Sequence, residues 1–209
     1  MPNPEDPVVY VEGAASFYTV CALTQGRALY CWGRNALGET GTPPRDEALC
    51  PGTWRTENQA QECERTPQRV QDLGPVLDFS VGDTHTCALQ ENGALYCWGN
   101  NELGQLGLGD YANRFTPALV DAGPFKDVAL LQDATCALHG DDQDSDGIYC
   151  WGQNDAGQLG TGDFTPYNVP VLIDDFALWE KFAASSHASV VGVIRADGTL
   201  WHWGDPQGF

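Results

Sequence analysis

The sequence predicts an all-β propeller, assembled from four copies of one strand-turn-strand unit. Three observations lead there. A segment ending in Trp-Gly recurs along nearly the whole chain. The composition holds 24 Gly, 13 Pro and 7 Trp against one Met, which suits short strands and turns. No stretch places apolar residues at helical spacing over several turns.

The repeat fixes the order of the elements. Thr86-Cys87-Ala88-Leu89 returns as Thr135-Cys136-Ala137-Leu138 and, more loosely, as Val20-Cys21-Ala22-Leu23. Leu95-Tyr96-Cys97-Trp98-Gly99 returns at Leu29 to Gly33 and at Ile148 to Gly152, with a fourth copy, Leu200-Trp201-His202-Trp203-Gly204. Trp32, Trp98, Trp151 and Trp203 lie 66, 53 and 52 residues apart. The base unit is therefore about 50 residues, the length of a propeller blade. Period-locked tryptophans are expected to pack between blades.

Within a unit, the Thr86 to Gln90 strand is followed by Glu91-Asn92-Gly93, a three-residue turn ending in a left-handed Gly, and by the returning strand Ala94 to Trp98. Ala196-Asp197-Gly198 repeats that turn. The Gly104-Gln105-Leu106-Gly107 run, echoed at Gly157 to Gly160, is expected to supply turns and close backbone approach. An extended run, Phe115 to Val120, then leads toward the next blade. The resulting division is a tail at 1–8 and repeats over 9–209. Repeat 1 covers 9–41, repeat 2 covers 76–120, repeat 3 covers 125–173 and a truncated repeat 4 covers 179–209. Residues 42–69 form an inserted disulfide loop within this scheme.

These motifs resemble the repeats of the regulator of chromosome condensation family, over about residues 9–204. The resemblance implies a seven-bladed propeller of four-stranded blades, of which four repeats are a part. Two readings follow. The chain is a fragment of a longer propeller, or it assembles with further copies or a partner through open blade edges.

The eight cysteines fall into pairs. A turn at Glu91-Asn92-Gly93 sets Cys87 opposite Cys97, within disulfide reach. Cys21 with Cys31 repeats this spacing, and Cys136 with Cys150 spans a longer hairpin. In the fourth copy Gly192 and His202 replace both partners together. Cys50 and Cys63 are left within the inserted loop, where a bond would close a ring of about fourteen residues, worth roughly 3 kcal/mol. Zinc is disfavoured because no Cys-x-x-Cys occurs. Four disulfides imply a secreted or cell-envelope setting. The visible N-terminus carries no signal-peptide pattern.

A formal net charge of −19, with 10 Lys+Arg against 29 Asp+Glu, excludes nucleic-acid binding through a basic patch. No apolar run reaches the ~20 residues of a membrane helix. Asp142, Asp144 and Asp146 alternate and end in Gly147, like the start of a calcium loop. The competing reading is a solvated hairpin tip, because the following residues read as a strand. Trp54, in the inserted loop, is a candidate contact aromatic for a partner. No catalytic constellation and no phosphate-binding loop is visible. The expectation is a noncatalytic recognition module with a protein partner and no cofactor other than calcium at the Asp-rich hairpin. The alternatives are guanine-nucleotide exchange on a small GTPase and an extracellular hydrolase on the same scaffold.

Overall fold

In a computed structural model the described residues are 5–13, 19–43, 49–50, 61–140, 147–174, 179–184, 189–195 and 197–204; of 49–50, 61–62, 174 and 179–183 only the backbone is described. Every regular element among them is a strand. Blade 1 contains β1 (Val8–Gly13), β2 (Thr19–Thr24), β3 (Leu29–Arg34), β4 (Leu49–Cys50) and β5 (Gln61–Arg69), ordered β1-β2-β3-β5-β4. Blade 2 is β6 (Val76–Val81), β7 (His85–Gln90), β8 (Leu95–Gly99) and β9 (Arg114–Leu119), paired in chain order. Blade 3 repeats this with β10 (Phe125–Leu130), β11 (Ala134–His139), β12 (Gly147–Gly152) and β13 (Tyr167–Asp174). Blade 4 has three strands among the described residues, β14 (Trp179–Ala184), β15 (Val190–Arg195) and β16 (Leu200–Gly204). All pairings are antiparallel.

The hairpin turns behave as their sequences require. Gly93 and Gly198 both adopt φ of 81°, the left-handed region that only Gly enters freely. The register that follows sets Cys87 opposite Cys97, Cys21 opposite Cys31 and Cys136 opposite Cys150. All three pairs are disulfide-bonded. In blade 4 the same register sets Gly192 opposite His202.

One expectation needs redrawing. Gln61–Arg69, read in sequence as part of the inserted loop, is the strand β5, which pairs with β3 and completes blade 1. Its polar composition hides it, because an outer strand faces water and needs no apolar alternation. Pro67, Pro117 and Pro170 sit in the corresponding outer strands of three blades, the place in a sheet where a missing N–H costs least.

The core lies between blades rather than within them. Cys21, Leu23, Leu29, Cys31 and Val70 of blade 1 close on Val76, Phe79, Val81, Ala88 and Trp98 of blade 2. Cys87, Leu89, Leu95, Cys97, Leu106 and Val120 close in the same way on Phe125, Val128, Leu130, Ala137 and Trp151 of blade 3. Blade 3 closes on Val191, Val193 and Trp203 of blade 4. The first strands of successive blades approach one another, β1 to β6, β6 to β10 and β10 to β14. They form the inner wall of a curved array, with the outer strands at its rim.

Candidate functional site

The loops that follow the third strands of blades 1 to 3 are built by their own side chains. In blade 2, Asn101 Oδ1 accepts the Leu106 amide at 3.0 Å, and its Nδ2 donates to the Asp110 carbonyl at 2.9 Å. Gln105 Oε1 accepts the Leu103 amide at 3.0 Å. Asn154 and Gln158 make the equivalent bonds in blade 3, to Leu159, to the Asp163 carbonyl and to Ala156. In blade 1, Asn35 Oδ1 holds the Thr40 amide and Glu39 Oε2 the Leu37 amide. Buried Asn and Gln that satisfy backbone groups are structural polar residues, not idle chemistry.

Each loop then receives the tryptophan of the next blade. Trp98 Nε1 donates to the Glu39 carbonyl at 3.0 Å, Trp151 Nε1 to the Gln105 carbonyl at 2.9 Å and Trp203 Nε1 to the Gln158 carbonyl at 3.1 Å. Thr86 Oγ1 and Thr135 Oγ1 donate to the first two of these carbonyls. Of the four tryptophans expected between blades, Trp98 and Trp151 are fully buried there, Trp203 is partly buried against blade 3, and Trp32 is only half-buried.

His85 belongs to this seam. Thr135 Oγ1 gives its hydrogen to the Gln105 carbonyl, so its contact with His85 Nε2 at 2.9 Å has the imidazole as donor. Nδ1 then carries the lone pair, is buried and has no hydrogen-bond partner. Burial alone lowers the His85 pKa to about 3, so the ring is neutral and enclosed. It cannot reach a substrate as an acid or base.

Blade 1 varies the theme. Arg34 and Glu39 stand where blade 2 has Asn100 and Gln105, and their Nε and Oε1 lie 3.3 Å apart. Burial raises the Glu39 pKa, against the lowering pull of backbone amides and Arg34. The charge pair replaces a neutral amide pair inside a seam. Aligning the repeats sets Glu39 against Gln105, but only the structure brings Arg34 to it.

The inner wall is acidic. Glu12 Oε1 accepts the Ser80 hydroxyl at 3.2 Å and the Val81 amide at 2.9 Å, tying β1 to β6. Asp78 and Asp127 hold matching places just after irregularities in β6 and β10, each accepting the next residue's amide at 2.8 Å. Burial, with the charge of Asp78 as a lesser cause, lifts the Asp127 pKa to about 6. Among the described residues no group of three or more His, Cys, Asp or Glu side chains is arranged to hold a metal.

The rim carries exposed aromatics. Tyr111 and Phe164 follow Asp110 and Asp163 at matching places in blades 2 and 3, and are 57% and 71% exposed. Asp110 is bonded by Arg114 at 2.6 Å and by the Ala112 amide, and Asp163 by Thr161, Thr165 and Tyr167. Those bonds hold both carboxyls below their ordinary pKa and fix the loops that present the rings. A depression between blades 1 and 2, lined by Arg27, Leu29, Val70, Leu73 and Pro75, encloses about 170 Å³. That is below the 300–1,000 Å³ or so of ligand pockets.

Asp142, Asp144, Asp146 and Trp54 lie outside the described residues. So does the side chain of Cys50, while Cys63 is disulfide-bonded and among the described residues no free cysteine occurs. The exposed Tyr111 and Phe164 were missed in sequence, where an aromatic after Gly-Asp reads no differently from a buried one.

Profiles of the regulator of chromosome condensation (RCC1) repeat match residues 28–89, 92–138 and 145–191, and a second RCC1 profile matches 11–39 and 76–105. The chain belongs to the RCC1 repeat family. It is 31% identical over 198 residues to the RCC1 domain-containing protein RUG3, mitochondrial, of Arabidopsis thaliana, covering 94% of this chain and 42% of that one. It is 29% identical over 157 residues to the probable E3 ubiquitin-protein ligase HERC4 of Homo sapiens, covering 72% and 13%. Among solved structures, human WBSCR16 superposes with a TM-score of 0.76 at 22% identity, covering 95% of this chain and 47% of that one. Prp20p of Saccharomyces cerevisiae, described with its binding to Gsp1p and histones, gives 0.74 at 22%, covering 97% and 44%. This RCC1 chain thus spans less than half the length of these relatives. Its propeller fold is shared with both structures.

Proposed function

We propose that the chain is a noncatalytic recognition module that binds a protein partner in an extracytoplasmic setting. The observation that carries this is the rim itself. Tyr111 and Phe164 are held outward by fixed loops on an acidic surface, while the buried His85, Asn101, Gln105, Asn154 and Gln158 serve the seams. Aromatics on a rigid frame anchor interfaces at low entropic cost. A net charge of −19 favours a basic partner. The disulfides of blades 1 to 3 support an oxidising compartment.

The test is pull-down from an extracellular extract, with wild type, Tyr111→Ala/Phe164→Ala and a deletion of 44–60. Wild type should enrich a basic protein, and the double variant should lose roughly tenfold or more in affinity, as for anchor residues. Equal capture by all three would refute the reading.

A further inference from the structure

The seam between blades 1 and 2 departs from the seam between blades 2 and 3 at two places that meet. The Arg27 carbonyl accepts the Val76 amide just as the Gly93 carbonyl accepts the Phe125 amide. Arg27 thus holds, in blade 1, the left-handed turn position that belongs to Gly93 in blade 2, with φ of 65°. Arg69 is paired with Tyr30 where Leu119 is paired with Tyr96 and Leu172 with Tyr149. Both arginines line the depression of about 170 Å³ between blades 1 and 2, together with Leu29, Val70, Leu73 and Pro75. Asp72, next to Leu73, has φ of 60°. Among the described residues, Arg27 and Asp72 are the two non-glycine residues in the left-handed region, and both belong to this place. A strained backbone that a sister blade avoids with glycine points to a use for the side chain.

Arg27 is held from two sides. Its Nη1 donates to the Leu77 carbonyl at 3.3 Å, and its Nε lies 3.4 Å from Glu91 Oε1. A guanidinium has five N–H donors, so Arg27 keeps others to offer. Arg69 is exposed. We propose that this depression binds a carboxylate carried on a short apolar group, with Arg27 and Arg69 as donors and Leu73 and Pro75 against the apolar part. The carboxylate comes from a free small acid or from the end of a peptide. The volume suits one group of side-chain size, not a larger ligand. Acidic neighbours sharpen the choice. Asp6 Oδ1 accepts the Gly26 amide at 2.5 Å, Glu91 pairs with Arg27, and Asp72 lies in the link to blade 2. These charges offset the long-range field of the arginines, so binding depends on direct paired N–H bonds. A singly charged planar carboxylate fits the guanidinium fork, whereas a doubly charged phosphate is repelled by the same neighbours. The site lies at the β2–β3 turn, whereas Tyr111 and Phe164 follow third strands, so the inference goes beyond the rim reading and is tested apart from it.

The experiment is amide chemical-shift titration of the intact oxidised chain by NMR. The probes are 4-methylpentanoate, N-acetyl-glycyl-leucine, its uncharged C-terminal amide and inorganic phosphate, all at millimolar concentration. One or both carboxylates should shift the amides of Ala28, Val70, Leu73 and Gly74 and saturate, and the tighter of the two names the source. The uncharged amide and phosphate should leave those signals in place. Arg27→Gly and Arg69→Leu install the residues that blade 2 carries at these positions, so both variants should fold, which circular dichroism checks. Each should weaken carboxylate binding roughly tenfold or more, the loss of one charge-assisted hydrogen bond. The denaturation midpoint of Arg27→Gly should not fall. Absence of a saturable shift in wild type overturns the proposal. So do equal shifts from the uncharged amide or phosphate, or unchanged binding in both variants.

Discussion

His85 illustrates how a residue type misleads when read singly. Imidazole is the usual candidate for proton transfer near neutral pH. Here the Nε2–H donates a hydrogen bond to Thr135 Oγ1, burial denies the ring a charge, and its pKa falls to about 3. The unfolded ring titrates near 6.5. Between those values the unfolded state binds the extra proton, so the His85 contribution to stability is present above pH 6.5 and is lost as pH falls toward 3. Asp127 acts in the opposite direction, its raised pKa of about 6 making the folded state more favourable as pH falls toward 3.8. The difference isolates His85. Chemical denaturation of His85→Gln should show a shallower loss of stability from pH 6.5 downward than wild type. Parallel curves would mean that the ring is charged or reachable by water.

At the scale of elements, the second glycine of each described seam loop, Gly41, Gly107 or Gly160, lies against a tryptophan. Gly107 adopts φ of 72°, and a Cβ there would lie 2.6 Å from Trp151 Nε1. Gly41 and Gly160 face Trp98 and Trp203 in the same way. Gly107→Ala should therefore destabilise by at least the roughly 1–3 kcal/mol of a strained left-handed residue. A drop in denaturation midpoint, with a change in tryptophan fluorescence, is the expected readout. If Ala is tolerated without either, the loop has freedom that the seam geometry denies. This contact also explains why Gly-Gln-Leu-Gly and Trp-Gly recur as a set, for each loop is shaped to seat the tryptophan of the following blade. Periodicity revealed the set, but the direction of pairing, loop to next blade, required the coordinates. The strand Gln61–Arg69 was illegible for another reason. Apart from the buried Cys63 and Pro67 its residues are polar, so the alternation that marks half-buried strands is absent.

The whole molecule behaves as a row of blades joined at seams. Stability in such arrays is the sum of unit and neighbour terms. Trp151→Phe removes the bond to the Gln105 carbonyl while keeping most of the apolar area, so it should weaken the coupling between blades 2 and 3. Hydrogen exchange should then show the two blades opening separately, with faster exchange in β10–β13 than in β6–β9. Uniform acceleration across both would indicate a single cooperative unit instead.

What the sequence by itself determined is local and periodic: strands, turns, three disulfide registers and membership of the RCC1 repeat family. Those depend on contacts between residues close along the chain, which spacing reports directly. Only the tertiary structure decided which groups are consumed between blades and which remain outside. His85 meets Thr135 and Asp127 feels the charge of Asp78, each roughly fifty residues away, and Tyr111 and Phe164 are exposed in the folded chain. Desolvation and exposure are properties of an assembled surface, so no reading of a single strand contains them.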